Sequence, residues 1–490
     1  MKFILFSHFL EGTIRDHLGE SEYSYYFVLK AYQRALAELG SVEIVRHPES
    51  EVDPIYNSCH SRGESCIFFS FAPPHKTQLN LDCPTVPVIA WEFSRIPDEP
   101  WGNDPRNDWR FTLAKLGNAI TLSSYSERII AEAMGPKFVV HSVPAPVLDR
   151  ANCERPASPI CAGADLHLAG SILDTATMNL QINSLASSVR PQGDKVANRT
   201  NRYQRTRRRL LIWAFERYER FYDLTHSARS NGSDVTPALG SEHYPVGATE
   251  SPQSRVHVSG VVYTAVLNPT DGRKNVYDIV TAFCWAFRDI NDATLVLKLV
   301  NRDPQAFYSA LIPILYRLSP FKCRVLVLSG FLAENEYDLL IGSTSYYVNA
   351  STSEGLCLPL MEFMASGTPA IAPVHTAMED YIDGEVAFVL RATRQITVWP
   401  HDPRELFRTM CFRLDWESLV EAYRQSYRLA KTNPGAYHEM SMRVRQRMQR
   451  YASLPTIKEK LRRFLAVLKD STAAGSSRAN TATDEFAARE

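Results

Sequence analysis

Several things are missing from this 490-residue chain, and each absence removes a class of function. Net charge is missing: Lys+Arg and Asp+Glu both total 54, so bulk electrostatics gives no argument for a nucleic acid as partner. No apolar stretch approaches the ~18–20 residues that cross a bilayer. The nine cysteines (59, 66, 83, 153, 161, 284, 323, 357 and 411) are odd in number, scattered, and contain no C-x-x-C pair. That argues against a disulfide framework or a zinc site and fits a reducing cytoplasm. The run Phe3–Phe6 starts like a signal peptide, but Ser7, His8, Glu11 and Arg15 interrupt it and no A-x-A site follows. A buried first strand is the better reading.

What is present is ordinary globular material, 45% hydrophobic and 22% charged, which excludes a wholly disordered or collagen-like chain. The length exceeds one core, since single cores stop growing near ~250–300 residues, so two domains plus extra material are expected. Residues 1–147 alternate short apolar runs (Phe3–Phe6, Val42–Val45, Cys66–Ser70, Val86–Trp91, Ala119–Ser123, Val139–Val143) with helical patterns. Tyr25, Val28, Leu29, Tyr32, Leu36 and Leu39 make the first of these helices, ending at Gly40. Such alternation implies βαβ units and a parallel sheet. Residues 256–415 repeat the pattern, 416–469 are helical and charged, and 470–490 read as a disordered tail.

Between the two blocks, 148–255 reads as a low-complexity linker or insert, rich in Ser, Ala, Asn, Pro and Gly. It is broken by one basic–aromatic helical pattern at 202–224. That segment has three readings: a helix packed on a domain, an amphipathic helix making peripheral membrane contact, or a nucleic-acid patch. Its aromatics spread too far around the helix for a clean membrane face.

The most informative stretch is Ser351–Pro369. Glu354 follows the strand Tyr346–Asn349, Pro359 suits a first helical position, and Gly367 suits a stop. Glu362 then lies in the first turn of a short helix, near the loop that holds Glu354. Two carboxylates would converge with the amides of Leu356, Cys357 and Leu358. Helix amino termini attract phosphate and carboxylates accept from hydroxyls, so a ligand carrying a diphosphate and several hydroxyls satisfies the arrangement. That describes a nucleotide sugar. Taken alone, the two carboxylates would be a solvated pair favoured by the helix dipole.

With its flanks, the stretch resembles the donor-site signature of retaining glycosyltransferases of the GT-B fold, especially family 4 (glycosyl transferases group 1). The matching residues are Ser351, Glu354, Gly355, Leu358, Pro359, Glu362, Met364, Ala365, Gly367 and Pro369, with Phe363 where Ala is common. The similarity covers roughly 256–390, and 1–147 more loosely. It implies an α/β protein of two Rossmann-like doubly wound domains facing across a cleft, an amino-terminal acceptor domain (1–147) and a nucleotide-sugar domain (256–415). The helices of 416–469 would cross back to brace the first domain.

The same resemblance implies roles. Glu362 would bind the donor ribose and Glu354 the sugar hydroxyls, while Gly355, Leu356, Cys357 and Leu358 line the donor. Phe331 and Leu332 would border the nucleobase. Family members present an Arg just after the first strand of this domain and a Lys six residues later, both facing the diphosphate. Lys274 matches the Lys, with Arg273 beside it, and Asn268 stands at the Arg position. Arg273 and Lys274 could also be an exposed pair after a turn. No D-x-D motif occurs, so a metal-dependent site is unsupported and no cofactor is expected beyond the nucleotide sugar as co-substrate. Acceptor-side candidates are His8, Gly12 and Glu92; His8 also reads as a satisfied loop histidine, and Glu92 as a structural ion-pair partner. The expected activity is transfer of a hexose, mannose among the options, to a saccharide or lipid-linked acceptor in bacterial cell-surface polysaccharide synthesis. The place would be the cytoplasm or the inner-membrane surface. Two rivals share the fold: another GT-B enzyme (phosphorylase or epimerase), and a non-catalytic scaffold of a glycan-assembly complex.

Overall fold

A computed structural model describes residues 1–9, 19, 22–147, 158–178, 253–301 and 303–469. Gly12, the 202–224 segment and the 470–490 tail lie outside the described residues.

The first domain is one six-stranded sheet. Its strands are β1 (Lys2–Ser7), β2 (Ser41–Ile44), β3 (Cys66–Phe71), β4 (Thr85–Ile89), β5 (Asn118–Thr121) and β6 (Val139–Ser142). All pairs are parallel, in the order β2-β1-β3-β4-β5-β6. β3, β4 and β5 are buried at every residue, as a parallel sheet covered on both faces requires. The cover includes α1 (Ser24–Ala37), α2 (Pro48–Ser61), α3 (Trp109–Leu116) and α4 (Ser124–Met134). On α1 the buried set Tyr25, Val28, Leu29, Tyr32 and Leu36 is the helical stripe legible in the sequence.

The second domain holds β7 (Cys161–Asp174), β8 (Gln253–Leu267), α5 (Val276–Ala286), β9 (Ala293–Leu299), α6 (Gln305–Leu318) and β10 (Arg324–Phe331). It continues through α7 (Glu334–Ser343), β11 (Tyr346–Val348), α8 (Leu358–Ala365), β12 (Ala370–Pro373) and β13 (Ala387–Leu390). Its parallel strands run β10-β9-β8-β11-β12-β13, a doubly wound order whose direction reverses between β8 and β11.

β7 corrects the linker expectation for 148–255. It pairs antiparallel with β10 on one side and with the first half of β8 on the other, so β8, β7, β10 and β9 close a ring. The sequence hid it because small residues interrupt the strand, at 161–164 and again at 169–171. Gly170 shows why: a Cβ there would fall 2.0 Å from the Ser329 carbonyl oxygen, beside Gly330 on the paired strand. Close backbone approach selects small side chains, and a composition-based reading takes those for a linker.

The described residues end on three helices: α9 (Trp416–Thr432), α10 (Pro434–Ala452) and α11 (454–469). α9 packs on α5, where the buried Tyr423 hydroxyl donates to the Ile279 carbonyl at 3.3 Å. The end of α10 returns to the first domain, where the Val147 amide donates to the Ala452 carbonyl at 2.9 Å. On α11, Phe464 sets its ring edge against His141 with centroids 5.8 Å apart. Ile457, Leu461 and Phe464 are fully buried in the main core. Residues 396–409 form part of a separate small unit, in which buried Asp402 accepts from the amides of Arg404, Leu406 and Phe407.

Candidate functional site

The reversal between β8 and β11 gathers the charged groups. After β8, Asp271 accepts from the Arg273 amide at 3.1 Å and caps a single 3-10 turn, Gly272–Lys274. Asn275 then takes a left-handed conformation (φ 50°), so α5 starts only at Val276. Lys274 therefore sits in the turn before the helix. From there its Nζ donates to Glu354 Oε1 at 2.6 Å. Glu354, in the loop after β11, is 5% exposed. Asn349 Nδ2 also donates to its Oε1 at 3.3 Å, while Thr376 Oγ1 accepts from its amide at 3.0 Å.

Burial works against every charge here, and the partners decide the outcome. Burial raises the Glu354 carboxyl, but Lys274 and Arg273 outweigh it and hold the group below the usual carboxylate range. Burial likewise opposes the Lys274 ammonium, yet Glu354 pushes its pKa well up, so it stays charged. For Asp271 burial is again overcome by Arg273 and Lys274, and its carboxyl falls to about 2. Glu92 behaves differently: burial pushes it up, with Arg273 offsetting only part.

Arg273 does not point to open space. Its guanidinium is gripped by Asp271, at 2.8 Å, and by Glu92 of the first domain. Of the two readings of Glu92, the ion-pair partner is therefore the one seen, and it lies beside the Lys274–Glu354 pair. Glu92→Ala should destabilise the protein by about 2 kcal/mol at neutral pH, because the buried guanidinium then loses its hydrogen-bond partner from the first domain and keeps only Asp271. A urea midpoint unchanged from wild type would show the pair to be idle.

The carboxyl ends of the two sheets meet at this place. Asn268 Nδ2 donates to the Gly19 carbonyl, after β1, at 2.9 Å. The position where the family presents an Arg is thus occupied by a tether to the first domain, not by a cation. Gly355 lies against the end of β4, where a Cβ would stand 3.2 Å from the Trp91 amide nitrogen. A side chain there would press on that stretch, which would have to give by a few tenths of an ångström.

Glu362, on α8, accepts from the Tyr337 hydroxyl at 3.0 Å. It and Glu354 share one neighbourhood, reported by Tyr23 at the start of α1. Burial raises the Tyr23 hydroxyl to about 12, with Lys274 lowering it and Asp271, Glu354 and Glu362 all raising it. Cys357 precedes α8 with φ 63° and ψ 58°, and its Sγ accepts from Asn349 Nδ2 at 2.8 Å. Leu356 is buried and its carbonyl accepts from Tyr381; Leu358 is the first residue of α8. Phe331 ends β10 half-exposed, and Leu332 is buried beside it.

His8 is not brought in: exposed after β1, it sets its ring edge on Phe6 at 5.1 Å. Two residues were missed by sequence reasoning. One is Tyr23, which lies two residues before a helical stripe and carries no motif. The other is His375, after β12, 2% exposed and stacked on Phe412 at 4.3 Å. Burial lowers its imidazole to about 4, with nearby Glu354 pulling the other way. Only the fold puts its loop against that of Glu354, where the Ala377 amide donates to the Glu354 carbonyl at 3.1 Å.

Comparison with protein-family models and with curated protein sequences returns no match. Solved structures do match. Sucrose-phosphate synthase from Thermosynechococcus elongatus superposes with a TM-score of 0.51 at 14% identity, covering 96% of this chain and 100% of that one. HepE of Anabaena, in complex with UDP, gives 0.49 at 11% identity over 95% and 100%. The pneumococcal O-GlcNAc transferase GtfA, in complex with UDP and GlcNAc, gives 0.44 at 12% over 84% and 60%. At such identities the likeness shows the fold, and the fold is the GT-B architecture of glycosyltransferases.

Proposed function

We propose that this protein is a retaining glycosyltransferase that moves a hexose from a nucleotide-diphosphate sugar to a saccharide or lipid-linked acceptor. The observation that carries the reading is the buried Lys274–Glu354 pair at the point where the second sheet reverses direction, the place where open α/β sheets bind ligands. An entering donor exchanges partners with that pair. Its diphosphate takes the Lys274 ammonium, and its sugar hydroxyls take the Glu354 carboxylate. Both groups are already desolvated, so each interaction is strong and needs little reorganisation.

Breaking the glycosyl–phosphate bond leaves extra negative charge on the nucleoside diphosphate. Lys274 and the amides of Leu356–Leu358 would stabilise it without a metal, and the leaving phosphate oxygen would take the acceptor's proton on the same face. Glu362 would hold the ribose. The first domain would supply the acceptor side near Glu92, and Arg273 would stay engaged with Glu92 and Asp271 as the closing contact. The family resemblance would set it in bacterial cell-surface polysaccharide assembly, in the cytoplasm or at the inner membrane.

The test is turnover of UDP-, GDP- and ADP-hexoses with and without EDTA, with the anomeric proton of the product followed by NMR. Retained configuration, turnover indifferent to EDTA, and loss of turnover in Glu354→Ala are expected. A wild type as inert as Glu354→Ala on every donor, while still binding a partner protein, would establish the scaffold reading instead.

A further inference from the structure

A groove of about 480 Å³ lies on the second domain between the last turn of α5 and the first half of α9. The proposed reaction does not use it. Trp285 forms one wall, 55% exposed, roughly 14 Å along the α5 axis from the end beside Lys274. Trp416 forms another, its ring fixed where Nε1 donates to Thr281 Oγ1 at 2.9 Å. The two indoles have centroids 6.4 Å apart and planes 52° apart, so they make an open angle and not a slot for a flat ring.

The polar lining has two parts. Arg391, just after β13, donates to Asp415 at 2.8 Å and to Glu421 at 3.5 Å, and Gln425 Nε2 donates to Glu421 Oε1 at 2.9 Å. Donors and acceptors therefore lie side by side, as a hydroxyl, which both donates and accepts, requires. Arg424 and Arg428 are exposed one helical turn apart, and among the described residues nothing pairs with either guanidinium. Like charges at that spacing repel on a bare helix. Counting Glu417, the lining carries three guanidiniums and two carboxylates, an excess of one positive charge. A single negative charge balances that excess, whereas a polyphosphate would face both carboxylates.

A pyranose ring matches both parts: its C–H groups suit the electron-rich face of an indole, and its rim carries hydroxyls. Nine residues line the groove, fewer than the ~20–30 a side that a stable protein partner covers. We propose that the groove is a saccharide-binding site for sugars carrying one acidic group, a uronic acid unit seated on Trp285 and Trp416 with its carboxylate taken by Arg424 and Arg428. It is separate from the site at Lys274 and Glu354, and it stands whether or not that site transfers a sugar.

Ligand-observed NMR titration of the full-length protein with glucuronosyl-β1,4-glucose and with its neutral counterpart, cellobiose, tests it. Wild type should bind the acidic disaccharide about 10-fold more tightly, the lower end for hydrogen bonds to a charged group. Trp285→Ala should weaken both sugars about fivefold to tenfold, the range of one lost ring contact, while Trp285→Phe keeps most of the binding. Arg424→Gln combined with Arg428→Gln should bring the acidic sugar to within about twofold of cellobiose and leave cellobiose unchanged. These three side chains are exposed, so urea midpoints of the variants should stay near wild type. Saturating UDP should change none of the affinities. Binding of neither sugar, equal binding of the two, indifference to Trp285→Ala, or displacement of the sugar by UDP would each overturn the assignment. Absence of sugar binding together with a wild-type dimer that Trp285→Ala dissolves would make the groove an interface between copies instead.

Discussion

Lys274→Met should lower turnover of the preferred nucleotide sugar by about 10³-fold, the loss that follows removal of a preorganised group facing charge developed in the transition state. The same substitution should destabilise the protein by about 3 kcal/mol, because it leaves the Glu354 carboxylate buried without its cation. The two effects have different remedies, which makes the prediction specific. Pairing Lys274→Met with Glu354→Gln removes the stranded charge and should recover stability to within about 1 kcal/mol of wild type. Turnover should not recover, since the phosphate ligand stays absent and the sugar hydroxyls meet a neutral amide oxygen in place of a carboxylate. A double variant no more stable than Lys274→Met would mean that Glu354 and Lys274 are not coupled as the 2.6 Å contact requires. A single variant that keeps full turnover would remove Lys274 from the chemistry.

His375 should give the protein a pH dependence that begins above the ordinary carboxylate range. Its imidazole titrates at about 4 in the fold, against an ordinary value of 6.5, because burial penalises the charged ring. The folded state therefore binds fewer protons than the unfolded state between these two values. The stability that His375 contributes is complete above pH ~6.5, falls as pH drops toward ~4, and changes little below. The full difference is about 3 kcal/mol. Urea midpoints of wild type and His375→Gln, compared at pH ~7 and pH ~4.5, isolate this group from the carboxylates that titrate lower. Wild type should lose about 2–3 kcal/mol more than the variant between the two conditions. Parallel losses would place the titration elsewhere. Asp271, held at about 2, makes its own contribution above pH ~4 and loses it only as pH falls through about 2.

Parallel sheets buried on both faces leave continuous apolar runs, and the chain shows them at Phe3–Phe6, Cys66–Ser70 and Val86–Trp91; each is a strand to within two residues. The helical stripe of α1 and the short helix after Glu354 are local patterns too, so they were legible. β7 was not, because a strand pressed against neighbouring backbone needs small residues, and small residues carry no alternating signal. Arg273 read as a free cation. Its two carboxylates come from within the turn and from the first domain, 181 positions away, and no periodicity reports the latter.

By itself the sequence determined the two βαβ blocks, the helical closing region, and the pair of acidic residues at Glu354 and Glu362 with a lysine at 274. These follow from short-range rules: apolar period, proline and glycine punctuation, and motif spacing. Only the tertiary structure decided which charges are partnered. Desolvation at the meeting of two sheets makes pairing obligatory there, and which groups stand within hydrogen-bond reach depends on chain segments far apart in sequence. That is why Lys274 faces Glu354, Arg273 faces Glu92 and Asn268 holds Gly19.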